Sequence, residues 1–295
     1  MVVLVTGSSG QLGQSLQFIA PNYSDPSQKS EQTKQIDFVF CSSQELDITN
    51  LVNCEQIFSK HKPQYCINTA AYTAVDNAES ETEKAYLINV VGAKNLTAVC
   101  KKHDTILLHI STDFVYDGDS AKPYTENDIP NPKGVYGQTK LNGEKAIQNM
   151  WRKHYIIRTS WVYSQFGNNF MKTMLRLASE RDTISVVNDQ IGTPTNAVDL
   201  ADVLVQIILT NNRQPTIDNY GIYNFSNEGQ CSWYDFAQKI FEVNNITLNL
   251  QPIPTSSFPT AAMRPKFSVL DKSKIIAKFG IHIQKWEESL VKINM

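Results

Sequence analysis

The stretch Val2-Val3-Leu4-Val5-Thr6-Gly7-Ser8-Ser9-Gly10-Gln11-Leu12-Gly13 decides the fold. Four consecutive apolar residues running into a glycine read as a strand buried on both faces, as in a parallel sheet. Glycines at this place serve a tight turn, close approach of the backbone to a pyrophosphate, and close packing of helix on strand. A helix opening near Gly10 would aim its free N–H groups and positive dipole end at phosphate. The spacing is Gly-x-x-Gly-x-x-Gly, not the usual Gly-x-Gly-x-x-Gly, and a glycine triplet also occurs in ordinary strand–helix turns. Its position directly after a first strand favours a dinucleotide site lined by Gly7, Gly10, Gln11, Leu12 and Gly13.

Outward from this turn, strands are expected at residues 38–41, 65–68, 106–110 and 155–158, with helices at 10–20, 51–61, 83–103 and 136–150 between them. That alternation predicts a Rossmann-type, doubly wound parallel α/β sheet. Beyond Thr159 the pattern loosens. Helices are expected at 169–180, 196–210, 233–243 and 285–291, and short strands at 183–187, 222–225 and 248–252. Residues 1–160 therefore read as the dinucleotide-binding domain and 161–295 as a mainly substrate-binding α/β region, some of whose segments return to the core. The polar segment 21–35 reads as a solvated loop or frayed helix end.

Composition narrows the function. The chain has 295 residues, 41% hydrophobic and 19% charged, with a net charge of −2. That supports a packed core and argues against nucleic acid as a partner, which would demand a basic excess. Cys41, Cys54, Cys66, Cys100 and Cys231 form no Cys-x-x-Cys pair and no disulfide framework, as expected in a reducing compartment. No basic leader and no bilayer-length apolar run are visible, so a soluble cytoplasmic protein is expected, with no membrane partner. The second strand ends Phe40-Cys41-Ser42-Ser43 with no acid for the ribose hydroxyls, which favours NADPH, with NADH still usable. Asp47-Ile48 either meets the adenine or belongs to the N-cap region of the next helix.

Tyr136-x-x-x-Lys140 puts a phenol and an ammonium on one face of a helix. A fixed cation there would lower the phenol's pKa and make it a usable proton donor and acceptor. Ser111-Thr112-Asp113 lies just beyond an apolar strand, where ligands of parallel sheets bind, so the Thr112 hydroxyl can meet a reacting carbonyl oxygen. Glycine loop, hydroxyl and Tyr/Lys pair together point to a reductase. His109 alternates within a central strand and reads as a packed core histidine; no metal-ligand set is expected. A serine hydrolase has no support, because no Gly-x-Ser-x-Gly elbow is present.

Nearly the whole chain resembles the dTDP-4-dehydrorhamnose reductases of the extended short-chain dehydrogenase/reductase superfamily. The resemblance rests on 7–13, 68–76 (NTAAYTAVD), 111–118 (STDFVYDG), 135–144 (VYGQTKLNGE), 158–163 (RTSWVY), 167–170 (GNNF), 189–195 (DQIGTPT) and Arg264-Pro265. It implies Thr112, Tyr136 and Lys140 as the catalytic set. It places Ala70, Ala71 and Tyr72, with Ser42, Asp47, Ile48, Tyr136 and Lys140, at the cofactor. It implies a dTDP-linked 4-keto-6-deoxy sugar as substrate, held by Thr73, Val75, Thr112, Trp161, Asn169 and Arg264. The plainer alternatives are core packing for Trp161, a helix cap for Asn169 and a surface salt bridge for Arg264. Some relatives pair through a magnesium held by an acid on the first helix; Gln11-Leu12-Gly13-Gln14-Ser15 offers none, and a monomer or a homodimer is expected.

Two rivals share this fold. A 4,6-dehydratase or epimerase is disfavoured, because such a dehydratase places an acid directly after Thr-Asp and Phe114 stands there. A non-catalytic regulatory subunit, of the kind that partners methionine adenosyltransferase, is disfavoured by the intact Thr112, Tyr136 and Lys140.

Overall fold

The computed structural model describes residues 1–24 and 35–294. Six parallel strands form the central sheet: β1 (Val2–Thr6), β2 (Asp37–Cys41), β3 (Tyr65–Asn68), β4 (Ile106–Thr112), β5 (His154–Thr159) and β6 (Gly221–Asn224), in the order β6-β5-β4-β3-β1-β2. From β1 the chain goes out to β2 and returns on the other side to β3. The β1/β3 boundary is thus the topological switch point, and a ligand belongs beyond its carboxyl ends.

Alternation along each strand builds two cores. Val3, Val5, Ile67, Leu108 and Ile157 face Leu12 and Leu16 of the helix Gln11–Ile19 and Leu200, Leu204 and Ile208 of the helix Ala197–Arg213. Leu4, Cys66, Leu107 and Ile156 face the other way, onto Phe58, Leu96, Val99 and Ile147. All five cysteines are free and buried. A third cluster, around Tyr163, Phe236 and Trp286, fills the region after β5.

Segments of the second half of the chain return to the central sheet. The helix Ala197–Arg213 covers one sheet face, and β6 pairs with β5 at the sheet edge. The expected helix at 83–103 is broken into Thr82–Tyr86, a π-helical turn Leu87–Gly92, and Ala93–Lys102. Of the segment 21–35, Pro21–Ser24 form a helical turn, and residues 25–34 lie outside the described residues. Among the described residues no helix is long and apolar enough to cross a membrane.

Candidate active site

At the β1 turn, Gly7 has φ +67°, and a Cβ there would lie 2.7 Å from Ala70 N. A Cβ on Gly13 would lie 2.5 Å from Gly7 O, so only glycine lets the helix sit this low on the turn. No side chain caps the helix start at Gly10. The result is a cradle of backbone N–H groups, and its chemistry fits a dinucleotide diphosphate. Leu12 is buried beneath it. The Gln11 side chain turns toward the second half of the chain. Its Nε2 donates to Val162 O at 3.1 Å, and its Oε1 accepts from Asn169 Nδ2 at 3.4 Å.

The far side of the cradle has mostly local roles. Ser42 donates through both N and Oγ to Glu45 (2.8 Å each). Asp47 accepts from the backbone N and hydroxyl of Thr49, leading into a helix capped by Asn50. Ile48 is buried under Gly92. The Ala70–Tyr72 segment leaves β3 beside the switch point, and Asn89 clamps it: its amide accepts from Tyr72 N (2.9 Å) and donates to Tyr72 O (3.1 Å) and Thr139 Oγ1 (3.1 Å). Asn89 sits in the π turn, a helical defect common at functional sites.

Thr112 ends β4, and Tyr136 and Lys140 lie on the helix Val135–Met150. Glycine again sets the approach: a Cβ on Gly137 would lie 2.1 Å from Phe114 O. Glu79 accepts from Val135 N at 2.8 Å, placing a carboxylate at the helix's positive end. The Thr112 hydroxyl donates to Asp113 Oδ1 at 2.9 Å and accepts from Phe114 N at 3.2 Å. The Phe114 ring packs edge-on against Tyr136 at 5.6 Å.

Burial pushes the Tyr136 phenol up to about 12; the Asp113 charge adds to this and the Thr112 hydroxyl opposes it. Burial also draws Lys140 down to about 8, with Glu144 opposing. The lowering of the phenol expected from the Tyr/Lys spacing is thus not what the geometry produces. Desolvation dominates, and the Lys140 ammonium donates to Ile110 O at 2.6 Å, back toward β4. Burial lifts Asp113 to about 6.

Behind this set lies a buried pair that the sequence reading missed. Arg158 donates to both Glu144 oxygens, at 3.0 and 2.6 Å, and to Tyr116 Oη at 2.7 Å. Ser111 Oγ donates to Glu144 Oε1 at 2.5 Å, which ties the Thr112 strand to the Tyr136 helix. The only sequence signals were an arginine inside an apolar strand and an acid four residues after Lys140.

The residues that the resemblance assigns to the sugar lie on several segments. Val75 packs in the cluster with Tyr72, Phe114 and Tyr136, and Thr73 is exposed beside it. Trp161 follows β5 in a left-handed conformation (φ +47°) and stacks on Trp233 with ring centroids 3.5 Å apart. Asn169 caps its helix, accepting from Lys172 N at 3.1 Å. Arg264 pairs with Asp76 at 2.5 Å and lies over Phe114, while its Nη1 is buried without a partner. Its charge is thus only partly spent on the salt bridge. Among the described residues, no three His, Cys, Asp or Glu side chains converge as a metal site.

A glycine cradle at the switch point, with Thr112, Tyr136 and Lys140 gathered beyond the strand ends, defines an oxidoreductase of the short-chain dehydrogenase/reductase class. Within that class the chain belongs to the RmlD substrate binding domain family, which it matches over residues 1–294. It is 42% identical to the dTDP-4-dehydrorhamnose reductase of Aggregatibacter actinomycetemcomitans over 99% of this chain and 98% of that one. Among solved structures, it superposes on a dTDP-4-dehydrorhamnose reductase from Clostridium acetobutylicum with TM-score 0.90 and 39% identity, covering 100% and 98% of the two chains. For the same enzyme from Bacillus anthracis, in complex with NADP, the values are 0.88 and 38%, with 99% and 98% covered.

Proposed function

We propose that this protein reduces the C4 keto group of dTDP-4-dehydro-L-rhamnose to give dTDP-L-rhamnose, using NADPH and accepting NADH in its place. The observation that carries the reading is the Thr112/Tyr136/Lys140 set at the strand ends, next to a glycine cradle whose backbone donors suit a diphosphate. The relatives named above are reductases of this sugar nucleotide, and one of them holds NADP. The reading carries with it a cytoplasmic location and a monomer or homodimer.

When bound, the nicotinamide supplies a hydride to the carbonyl carbon. Tyr136, protonated throughout the physiological range, gives its proton to the carbonyl oxygen. Thr112 turns its hydroxyl from Asp113 to the same oxygen and polarises the carbonyl. Lys140 supplies the positive charge that stabilises the tyrosinate left behind. Arg264, with Nη1 unspent, takes an anionic or hydroxyl oxygen of the sugar nucleotide. Trp161, held flat by Trp233, forms a wall for the sugar, and Val75 and Thr73 add further contacts to it. Phe114 has no proton to transfer, so the dehydratase reaction lacks its acid.

The test follows NADPH consumption with dTDP-4-dehydro-L-rhamnose generated in place by the upstream enzymes. Tyr136→Phe is expected to lower kcat about 10²- to 10⁴-fold while leaving NADPH binding and Tm near those of the wild type. A wild type that binds NADPH but leaves this ketosugar unreduced overturns the assignment.

A further inference from the structure

Asn68 and His109 sit opposite each other on β3 and β4, both 2% exposed, and neither has a part in the chemistry above. The Asn68 amide has only one orientation open to it. Ala70 N–H, which can only donate, reaches Asn68 Oδ1 at 3.2 Å, and the Thr6 hydroxyl reaches it at 2.7 Å. Asn68 Nδ2 therefore donates to His109 Nδ1, at 3.0 Å. An Nδ1 that accepts leaves a neutral imidazole with its hydrogen on Nε2. That Nε2 faces Lys140 Nζ at 3.5 Å, a donor opposite a donor and too long for a firm hydrogen bond.

We infer that His109 is a positioning residue for Lys140: its tautomer, locked by Asn68, withholds a second acceptor from the ammonium, which is left with the Ile110 carbonyl on that side and N–H groups free for the reaction centre. The inference deepens the proposed reductase reading and rests on it for the role of Lys140. With the hydrogen on Nδ1 instead, Nε2 would accept from Lys140, draw the ammonium back toward β4 and favour its charged form. The other ionisable groups around Lys140 are Glu144 and Tyr136 on its own helix, Asp113 at the end of β4, and His154 and Arg158 on β5. Arg158 is committed to Glu144, and His154 Nδ1 lies 2.5 Å from Trp151 O.

The first experiment needs no altered site and no substrate. A ¹⁵N-histidine spectrum of the wild-type protein, assigned by single replacement of each of the other four histidines, is expected to show His109 with Nε2 protonated and Nδ1 bare. Its Nε2 signal is expected to move with the titration of the Lys140 Cε carbon, because a neutral amine offers the Nε2–H a lone pair. A hydrogen on Nδ1, or an Nε2 signal blind to that titration, overturns the inference. Asn68→Asp replaces the donor with an acceptor. It should flip the tautomer, move the Lys140 titration about one pH unit alkaline and lower kcat about tenfold. A flipped tautomer with an unmoved Lys140 titration also overturns it. Because both spectra are read without ketosugar or NADPH, failure of the reductase assignment leaves them intact and is told apart by the turnover assay.

Discussion

A phenol that keeps its proton to about pH 12 and an amine that loses one near 8 give the reaction a one-sided pH dependence. Lys140 has its pKa lowered by burial, so its cation predominates below about 8 and is lost as pH rises through that value. The rate of ketosugar reduction under saturating NADPH is therefore expected to hold through neutrality and fall above about pH 8. Lys140→Arg keeps a cation that does not titrate in this range, and should move the alkaline fall upward even where the maximal rate drops. A fall that stays near pH 8 in Lys140→Arg would assign it to another group. At this scale the sequence was legible wherever the chemistry is local. Tyr136 and Lys140 need only the helical repeat to meet, and Thr112 needs only to end a strand. Glu144, Arg158, Asn89 and the Asn68–His109 contact were illegible because each depends on strand register or on a helix crossing between segments well apart in the chain. His109 could be read as buried, but not as the neighbour of Lys140.

Elements meet at this site through glycine. Gly137 has no space for a Cβ against Phe114 O, which a substituent would approach to 2.1 Å, and Gly143 is as tight against Asn89 O at 2.4 Å. Both neighbours are backbone, so the helix itself must move. Gly137→Ala is expected to cost about 1–3 kcal/mol of stability by overpacking and to lift Tyr136 away from Thr112. It should lower kcat more than it raises KM, because Trp161 and Arg264, the residues proposed to hold the sugar, lie on other segments. Thermal unfolding and steady-state kinetics on the same preparation check this; an unchanged kcat with a lowered Tm would mean that the helix yields elsewhere. The periodicity that located this helix and the strands cannot show a break such as the π turn at Leu87–Gly92. There the apolar pattern continues while the hydrogen-bond register slips, and the burial of the polar Asn89 shows only in the fold. Short pairings such as Val162–Tyr163 with Thr195–Asn196 were equally hidden, since two-residue strands carry no repeat.

For the whole molecule, the question is whether the reading of 1–160 as one domain describes something that can stand alone. The helix Ala197–Arg213 buries Leu200, Val203, Leu204, Val205, Ile207 and Ile208 in the core around β1, β3, β4 and β5. At about 1.5–3 kcal/mol for each large aliphatic side chain, its loss removes on the order of 10 kcal/mol, comparable to the whole stability of an ordinary domain. β6 closes the edge at β5, so a fragment ending at residue 160 would also expose unpaired β5 backbone, an invitation to edge-to-edge association. Fragment 1–160 is therefore expected to show no cooperative thermal transition and to aggregate, whereas a chain in which residues 197–225 are retained through a short linker should recover one. Gln11 adds a tie in the other direction, from the glycine cradle to the loop carrying Asn169, so the two segments should order together. Cooperative melting of fragment 1–160 alone would show that the cofactor half is autonomous and that the returning helix serves only to join the two halves.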